Sequence, residues 1–492
     1  MLTEQEIRTL IDNDEASKKK QLAKKGVAYY EGQHDIEEYR IFFINADGKL
    51  EEDKTKYNSR ISHPFFKLLA DQEAQYMLSG KDGFIKSDTP ELQAELDTYF
   101  NENESYLAEL LELLTGTITK GFEYMYACKD ADGRTKFECA DSLGVVEVRA
   151  KDTDDHCEYL IYWYVERIEK DTKAIKHIEV WDADTVTYYT QVNDGDIELD
   201  EDEPENPRPH TLLKKKGSEQ LFKDSYGLIP FFRLDNNKKQ ISGLMPIKKL
   251  IDDYDIINSG LTNSIEDTNE ALYVVRGFQG DNLDELMTNI KAKKHIGVDE
   301  EGGVDVMTVD IPVEARKTKM DIDKENIFFL GMGVNTEALK DTSATTSVAI
   351  KSAYANLDLK CDGLLPRLKQ FIRKQLDIVL AEINKINGTD YQQKDVYFNF
   401  EREIITNALE NAQIELTQAQ TEQTRITTLL NTAAQLGDEL LVQQIFDVLE
   451  LDYEEWKDKL PKPEEDLIDT ASAKETLDGI ETEPVEDGDV IE

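Results

Sequence analysis

The chain has 492 residues and sets 57 basic side chains against 102 acidic ones, a formal net charge of -45. Its length excludes one compact core, because domains hold roughly 100–200 residues each. The charge argues against a free-standing nucleic-acid binder, whose surface is basic in order to neutralise phosphates.

In chain order, the first hundred residues read as mainly helical. FFKLLADQEAQYML (65–78) repeats apolar residues at three- and four-residue intervals between His63-Pro64 and Ser79-Gly80. From Phe122 to about Leu234 the period changes. EYMYA, TKFECA, CEYLIYWYVERI, AIKHIEVWD and TVTYYTQV are short, aromatic or β-branched, and separated by turn residues, which predicts an antiparallel meander. A turn at Asp132-Gly133 would set Cys128 opposite Phe137 rather than Cys139, against a disulfide there. NDGDIELDEDEPENPRPH (193–210) is acidic, proline-bearing and aperiodic, and reads as an exposed loop.

Helical spacing resumes at Met245. A small α/β insert follows: strand 272–278, helix 282–294, strand HIGV, an EEGG turn and strand 304–309. The next helix begins at Pro312, a favourable first-turn position for proline. After the Ser/Thr cluster DTSATTS, apolar residues recur at helical spacing from Ala349 to Ile383. Pro366 falls among them and predicts one long helix with a bend. Residues 404–456 are helical and rich in Gln and Thr, and from Leu460 onward the acidic chain has too little apolar surface to offset its conformational entropy, which predicts disorder.

Motifs of common chemistry are absent. The sequence has no GxxxxGK[ST] phosphate loop, GxGxxG, HExxH or GxSxG. CKDADGRTKFEC resembles a calcium loop, but puts cysteine at the first and twelfth positions, where carboxylates are needed, and so reads as a hairpin. The six histidines form no i, i+4 pair, and each reads as a surface or packing residue; no metal or cofactor is expected. Four cysteines without a CxxC pair point to a reducing compartment. The N-terminus lacks an apolar signal region, and no apolar run is long enough to span a bilayer, so the expectation is a soluble protein with no membrane partner.

Residues 313–329 carry two apolar stripes on opposite sides of one helix. Val313, Met320 and Ile327 form one, and Ala315, Ile322 and Phe329 the other. Glu314, Asp321 and Glu325 line one edge between them, and Arg316 and Lys319, with Asp323 among them, line the other. Two stripes suit a stave between like neighbours in a closed ring, and equally a helix buried inside one domain.

The order of these elements resembles the portal proteins of long-tailed bacteriophages of Gram-positive hosts, over nearly the whole chain. The resemblance is carried by VAYYEGQHDI (27–36), NSRISHPFFKLLADQEAQYMLSG (58–80), LIPFFRLDNNKKQISGLMPIKKLIDDYDIINSGLTNSIED (228–267), the stretch from YVVRGF at 273 to ARKTK at 319, and DTSATTSVAIKSAYANLDLKC (341–361). No single stretch is a catalytic signature, and the succession makes the match specific.

The resemblance implies an α+β, mainly α fold without enzymatic activity. The resemblance further implies a homo-oligomeric ring, usually a dodecamer, that would conduct double-stranded DNA into and out of a capsid vertex. It implies a wing (1–244), stem helices (245–269 and 311–332) flanking a clip (270–310), a tunnel loop (333–346), a long bent helix returning to the wing (347–403), a crown (404–458) and an acidic disordered tail (459–492). The implied partners are the terminase large subunit, a head-completion or adaptor protein, the major capsid and scaffolding proteins, and transient, non-specific DNA. The implied location is the virion, with host cytoplasm during assembly. By the same resemblance, clip docking would fall to Arg276, Asp281, Asp284, Lys291, Lys293 and Lys294.

In the tunnel loop, Thr342, Ser343, Thr345 and Thr346 can exchange hydrogen bonds with phosphates without a fixed charge, flanked by Lys340 and Lys351, and Gly333 leaves the preceding backbone free to adjust. Strong cations there would hold DNA by salt-dependent phosphate contacts, whereas translocation needs contact without capture. Either the Arg316/Lys319 edge or the acidic edge of Glu314, Asp321 and Glu325 would face the tunnel. Two other readings stay open: another head-tail connector or capsid-associated ring protein, and a carboxylate-based hydrolase.

Overall fold

In the computed structural model the described residues are 2–403, apart from 46, 55, 131, 150–156, 168–173, 204, 215–220, 269–271, 279–297, 308–311 and 337–346, together with 423–431 and 438–448. The chain divides into two compact units, Met1–Ile404 and Ile405–Glu492. The first is a mixed helix-and-sheet body with antiparallel sheets.

Its helices are α1 (Glu4–Glu15), α2 (Lys18–Tyr30), α3 (Phe65–Met77), α4 (Pro90–Leu96), α5 (Glu104–Lys120), α6 (Lys248–Thr268), α7 (Val313–Gly331) and α8 (Ser347–Asn387). Local chemistry sets several of their ends. Thr3 and Glu6 close a capping box on α1. Asn103 caps α5, which stops at Gly121 with φ 94°; a Cβ there would also lie 2.5 Å from the Gln240 carbonyl oxygen, so only glycine fits. α7 starts at Val313, so Pro312 is the residue capping it rather than its first turn.

The strands are β1 (Phe42–Ile44), β2 (Leu50–Glu52), β3 (Ile85–Lys86), β4 (Phe122–Lys129), β5 (Thr135–Ala140), β6 (Val145–Arg149), β7 (Cys157–Arg167), β8 (Ala174–Trp181), β9 (Thr185–Val192), β10 (Ile197–Leu199), β11 (Arg208–Pro209), β12 (Thr211–Lys214), β13 (Leu221–Asp224), β14 (Phe231–Asp235), β15 (Leu272–Phe278), β16 (Val298–Met307) and β17 (Tyr397–Phe398). The predicted single meander is three sheets, one of them the separate β12–β13 hairpin. β10-β9-β8-β7-β6 is a true antiparallel meander, but β4 leaves it to lie between β5 and the distant β14. The reason is burial on both faces of β4. Met125 and Ala127 pack with the helices beside Leu110 and Phe371, while Phe122 and Tyr124 pack against Val145, Leu160 and Trp181 of the meander. A middle layer cannot be an edge of the outer one.

Three further sequence expectations are corrected. Cys128 opposes Lys136, Phe137 opposes Ala127, and Cys139 opposes Met125, one position from the expected register; all four cysteines are free. The acidic stretch 193–210 contributes β10 and β11, both paired to β9, and buries Ile197. Asn206 binds the amide and carbonyl of Tyr188 at 3.0 and 2.7 Å. EEGG is no turn: it lies inside β16, with Gly303 opposite Arg276 and Val298 opposite Phe278, so the register shifts there and the stretch forms a bulge in the ribbon. The insert helix expected at 282–294 falls outside the described residues.

α8 runs 41 residues through Pro366. Its buried stripe includes Leu357, Cys361, Leu364, Leu368, Phe371 and Leu376, whereas Pro366 and Asp362, the residue whose carbonyl loses its amide partner, are both exposed. Gln375 lies fully buried in this core. It accepts from the Tyr106 hydroxyl at 2.7 Å, and its amide nitrogen lies 3.0 Å from Met125 Sδ, tying α5, α8 and β4 together. In the second unit, residues 423–431 and α9 (Asp438–Val448) are helical; the expected acidic tail lies outside the described residues.

Candidate functional site

The region expected to form the stem is built on α6 and α7. They pack in opposite directions: Asp253 of α6 meets Lys319 of α7, while Gly260 lies against Arg316. A two-stranded ribbon, β15 and β16, stands between them in sequence.

α6 is held to the body by a ladder the sequence reading missed. Asp255 Oδ1 accepts from the His63 amide at 3.0 Å, Ser259 Oγ from the Ile61 amide at 3.0 Å, and Asn263 Oδ1 from the Ser59 amide at 2.7 Å. Four helical residues advance about 6.0 Å, and two extended residues about 6.6 Å. Acceptors at i, i+4 and i+8 therefore meet every second amide of an extended segment running the other way. Asp255 is fully buried and also accepts from His63 Nδ1 at 2.8 Å and from the fully buried His34 Nδ1 at 2.6 Å. Two of the histidines read as unrelated packing residues thus share one carboxylate. The spacing D-x3-S-x3-N was visible in the sequence, but its partner strand was not.

Beside this ladder Lys248 bridges Asp35 at 2.6 Å and Asp252 at 2.8 Å. Burial works against ionisation of Asp35, yet Lys248 and Lys25 hold its carboxyl down at about 2. The opposite partner responds in kind: Lys248 loses hydration, but hydrogen bonds to Asp252 and Asp35 raise its pKa.

Toward the C-terminal end of α7 one face is covered and the other is not, whereas Val313 at its start is exposed. Ile327, Phe328 and Asp323 are buried, whereas Ile322 is 48% and Phe329 66% exposed. Lys319 reaches both Asp253 and Asp323, and Arg316 lines a groove of about 540 Å³ with Gly260, Tyr39 and Ile256. The basic edge is therefore directed into its own subunit, toward α6. Glu314, Asp321 and Glu325 are exposed.

The root of the expected tunnel loop is clamped. Gln72 of α3 donates to the Val334 carbonyl at 2.9 Å and accepts from the Val334 amide at 3.1 Å. A Cβ on Gly333 would lie 2.0 Å from Leu69 Cδ2, so this glycine is required by close packing and not by freedom of the backbone. Lys360 of α8 joins the same junction, at 2.9 Å from the Gly331 carbonyl and 2.8 Å from the buried Glu73. Lys340, Thr342, Ser343, Thr345 and Thr346 lie outside the described residues, and Lys351 is exposed on α8. Among the expected docking residues Arg276 is exposed on β15, while Asp281, Asp284, Lys291, Lys293 and Lys294 lie outside the described residues. No described helix is long and apolar enough to cross a membrane.

Comparison with known proteins adds a lineage to this geometry. The sequence profile of the family described as "Phage portal protein, SPP1 Gp6-like" matches residues 10–458. The chain is 27% identical over 397 residues to the portal protein of Bacillus phage SPP1, covering 79% of this chain and 76% of that protein. It is 25% identical over 432 residues to the portal protein of Clostridium phage phiCD119, covering 83% and 88%. Among solved structures, the neck of a native GTA particle computed with C12 symmetry is a distant likeness, with TM-score 0.37 and 12% identity over 79% of this chain and 90% of that one. The match spans the helix hairpin, the ribbon and the clamped loop root alike, and the chain belongs to the SPP1 Gp6-like family of phage portal proteins.

Proposed function

We propose that copies of this chain close into a ring at a capsid vertex, with α6 and α7 as adjacent staves around a DNA passage. The observation that carries this reading is the uncovered face of α7: Ile322 and Phe329 stay exposed while the opposite face packs on α6 and α3. Large exposed apolar side chains in a row mark a surface that another protein covers, and a head-to-tail contact repeated by rotation closes a ring. The acidic edge, with Glu314, Asp321 and Glu325, faces the passage, because Arg316 and Lys319 are turned to α6. A carboxylate-lined wall repels the duplex from all sides and keeps it sliding.

The ribbon β15–β16 serves as the clip, docking the packaging terminase and later the head-completion protein, and the segment beyond Val334 is the tunnel loop, aimed by the Gln72 clamp. Residues up to α6 form the wing and the Gln/Thr-rich helices beyond 404 the crown, next to the capsid and scaffolding proteins. The ring is made in the host cytoplasm and kept in the virion. It acts as a conduit and a platform and performs no catalysis.

The test is native mass spectrometry and negative-stain imaging of the purified chain and of Ile322→Asp/Phe329→Asp. The native chain is expected to give large rings with a central hole, and the variant folded monomers. Rings unchanged by the double substitution would remove this face from assembly.

A further inference from the structure

Away from α6 and α7, a cavity of about 280 Å³ opens between the meander, β14 and α8. Its lining carries Arg149, Arg233, Arg367 and Lys374 against Glu147 and Asp235, four cations to two carboxylates, in a chain whose net charge is -45. Both carboxylates are already engaged. Glu147 accepts from Arg233 Nη1 at 2.6 Å, Arg149 Nη2 at 2.7 Å and the Tyr124 hydroxyl at 3.0 Å. Asp235 accepts from Arg233 Nε at 2.9 Å and Gln240 Nε2 at 2.7 Å.

On the opposite wall Arg367 and Lys374, two turns apart on α8, form no ion pair or side-chain hydrogen bond among the described residues. Phe231 and Phe371 supply apolar lining, which lowers the local polarity and strengthens any charge placed there. Near this wall, burial first, and then the neighbouring Arg233, push the Lys19 ammonium down to about 8, and it rests over the Phe122 ring at 3.7 Å.

We propose that this cavity is an interface pocket that receives a carboxylate side chain of a second copy of this chain in the assembled ring. The inference rests on the ring reading. Charge decides the occupant: a neighbour with 102 acidic side chains presents mostly carboxylates, and two such surfaces repel unless a cation-lined recess meets one of them. Size agrees, since about 280 Å³ admits one side chain. Arginine's planar fork suits a carboxylate, and Arg233 already binds two in this wall.

Zero-length carbodiimide coupling joins a lysine amine only to a carboxylate in contact with it, so Lys374 can report its neighbour directly. Rings mixed from 14N- and 15N-labelled chains are treated with carbodiimide, digested and mapped by mass spectrometry. The expected result is a Lys374 cross-link between differently labelled chains, missing from the unassembled protein and lost in Lys374→Arg, since arginine does not couple. Arg367→Glu with Lys374→Glu should raise the concentration for half-assembly at least tenfold while leaving the circular dichroism of the monomer unchanged.

The proposal is overturned by Lys374 cross-links confined to single chains, by none at all, or by assembly indifferent to the double reversal. It is also overturned if millimolar inorganic phosphate stabilises the monomer through Arg367 with no cross-link between chains, which would make the cavity a small-anion site. A native chain that forms no ring sinks both readings, whereas rings without the Lys374 cross-link sink only this one.

Discussion

Replacing Asp255 by alanine tests the ladder that holds α6 to the body. The carboxylate accepts three hydrogen bonds, from His34 Nδ1 at 2.6 Å, His63 Nδ1 at 2.8 Å and the His63 amide at 3.0 Å. A buried donor left without an acceptor costs about 1–3 kcal/mol. The His34 side chain is 0% exposed, so its loss counts in full; the His63 ring, 26% exposed, regains water and counts for little. With the His63 amide included, the expected loss is about 3–5 kcal/mol, the range for breaking a buried pair by removing one partner.

Asp255→Asn keeps the shape and one acceptor but turns an amide donor toward a ring donor, and is expected to lose about 2 kcal/mol. Ser259→Ala and Asn263→Ala each remove one rung, about 1 kcal/mol. Urea denaturation reads these differences as shifts in midpoint at constant slope. Amide hydrogen exchange reads the mechanism: in Asp255→Ala the amides of Ser59, Ile61 and His63 should lose protection before the strands of the meander do. An alanine variant within about 0.5 kcal/mol of the native chain, with the His63 amide still protected, would refute the idea that these side chains anchor the extended segment.

Three other outcomes follow from the same geometry. Gly333→Ala forces a methyl into Leu69 and should destabilise by about 1–3 kcal/mol; adding Leu69→Ala should cancel part of that loss in a double-mutant cycle. Lys319→Glu places a third carboxylate beside Asp253 and the buried Asp323. Because Lys319 is 43% exposed, the expected loss is reduced to about 2 kcal/mol, and thermal unfolding measures it.

Lys19 supplies a pH test. Its folded-state value of about 8 lies below the ordinary 10.5, so between those values the unfolded chain holds more protons and the folded state gains stability as pH rises. At neutral pH both states are protonated and the penalty for burying the charge is fully present. Lys19→Met should therefore stabilise the protein at pH 7 by about 2 kcal/mol and flatten its rise relative to the native chain between pH 8 and 10.5. An equal rise in both proteins would contradict the assignment.

Much of this molecule was legible locally. The helices Phe65–Met77, Lys248–Thr268, Val313–Gly331 and Ser347–Asn387 stand where apolar spacing places them, because that period is a property of neighbouring residues. The Asp130–Gly133 hairpin likewise followed from turn chemistry, with Gly133 at φ 85° and Asp130 Oδ1 accepting from the Asp132 and Arg134 amides at 2.9 and 2.8 Å. Strand existence was legible, but strand partnership was not. Nothing near Phe122 says that β4 will pair with residues 231–235, since that choice depends on filling a layer between helices and meander. EEGG looked like a turn because its glycines do, yet β15 pairs on both sides of it, at Val298 and Gly303, and leaves it as a bulge within one strand.

The same division runs through the candidate site. Composition and periodicity alone determined an acid-rich chain with helices in a definite order, and on Val313–Gly331 two apolar stripes separated by one acidic and one basic edge. Only the tertiary structure decided that Ile327 is covered while Phe329 is left open, and that Lys319 turns inward to Asp253 and Asp323. Only the fold brought His34, His63 and Asp255 together from segments about two hundred residues apart. The reason is that a helix's period follows from short-range sterics and hydrogen bonding, whereas which of two equivalent faces is buried is settled by the surface that arrives from elsewhere in the chain.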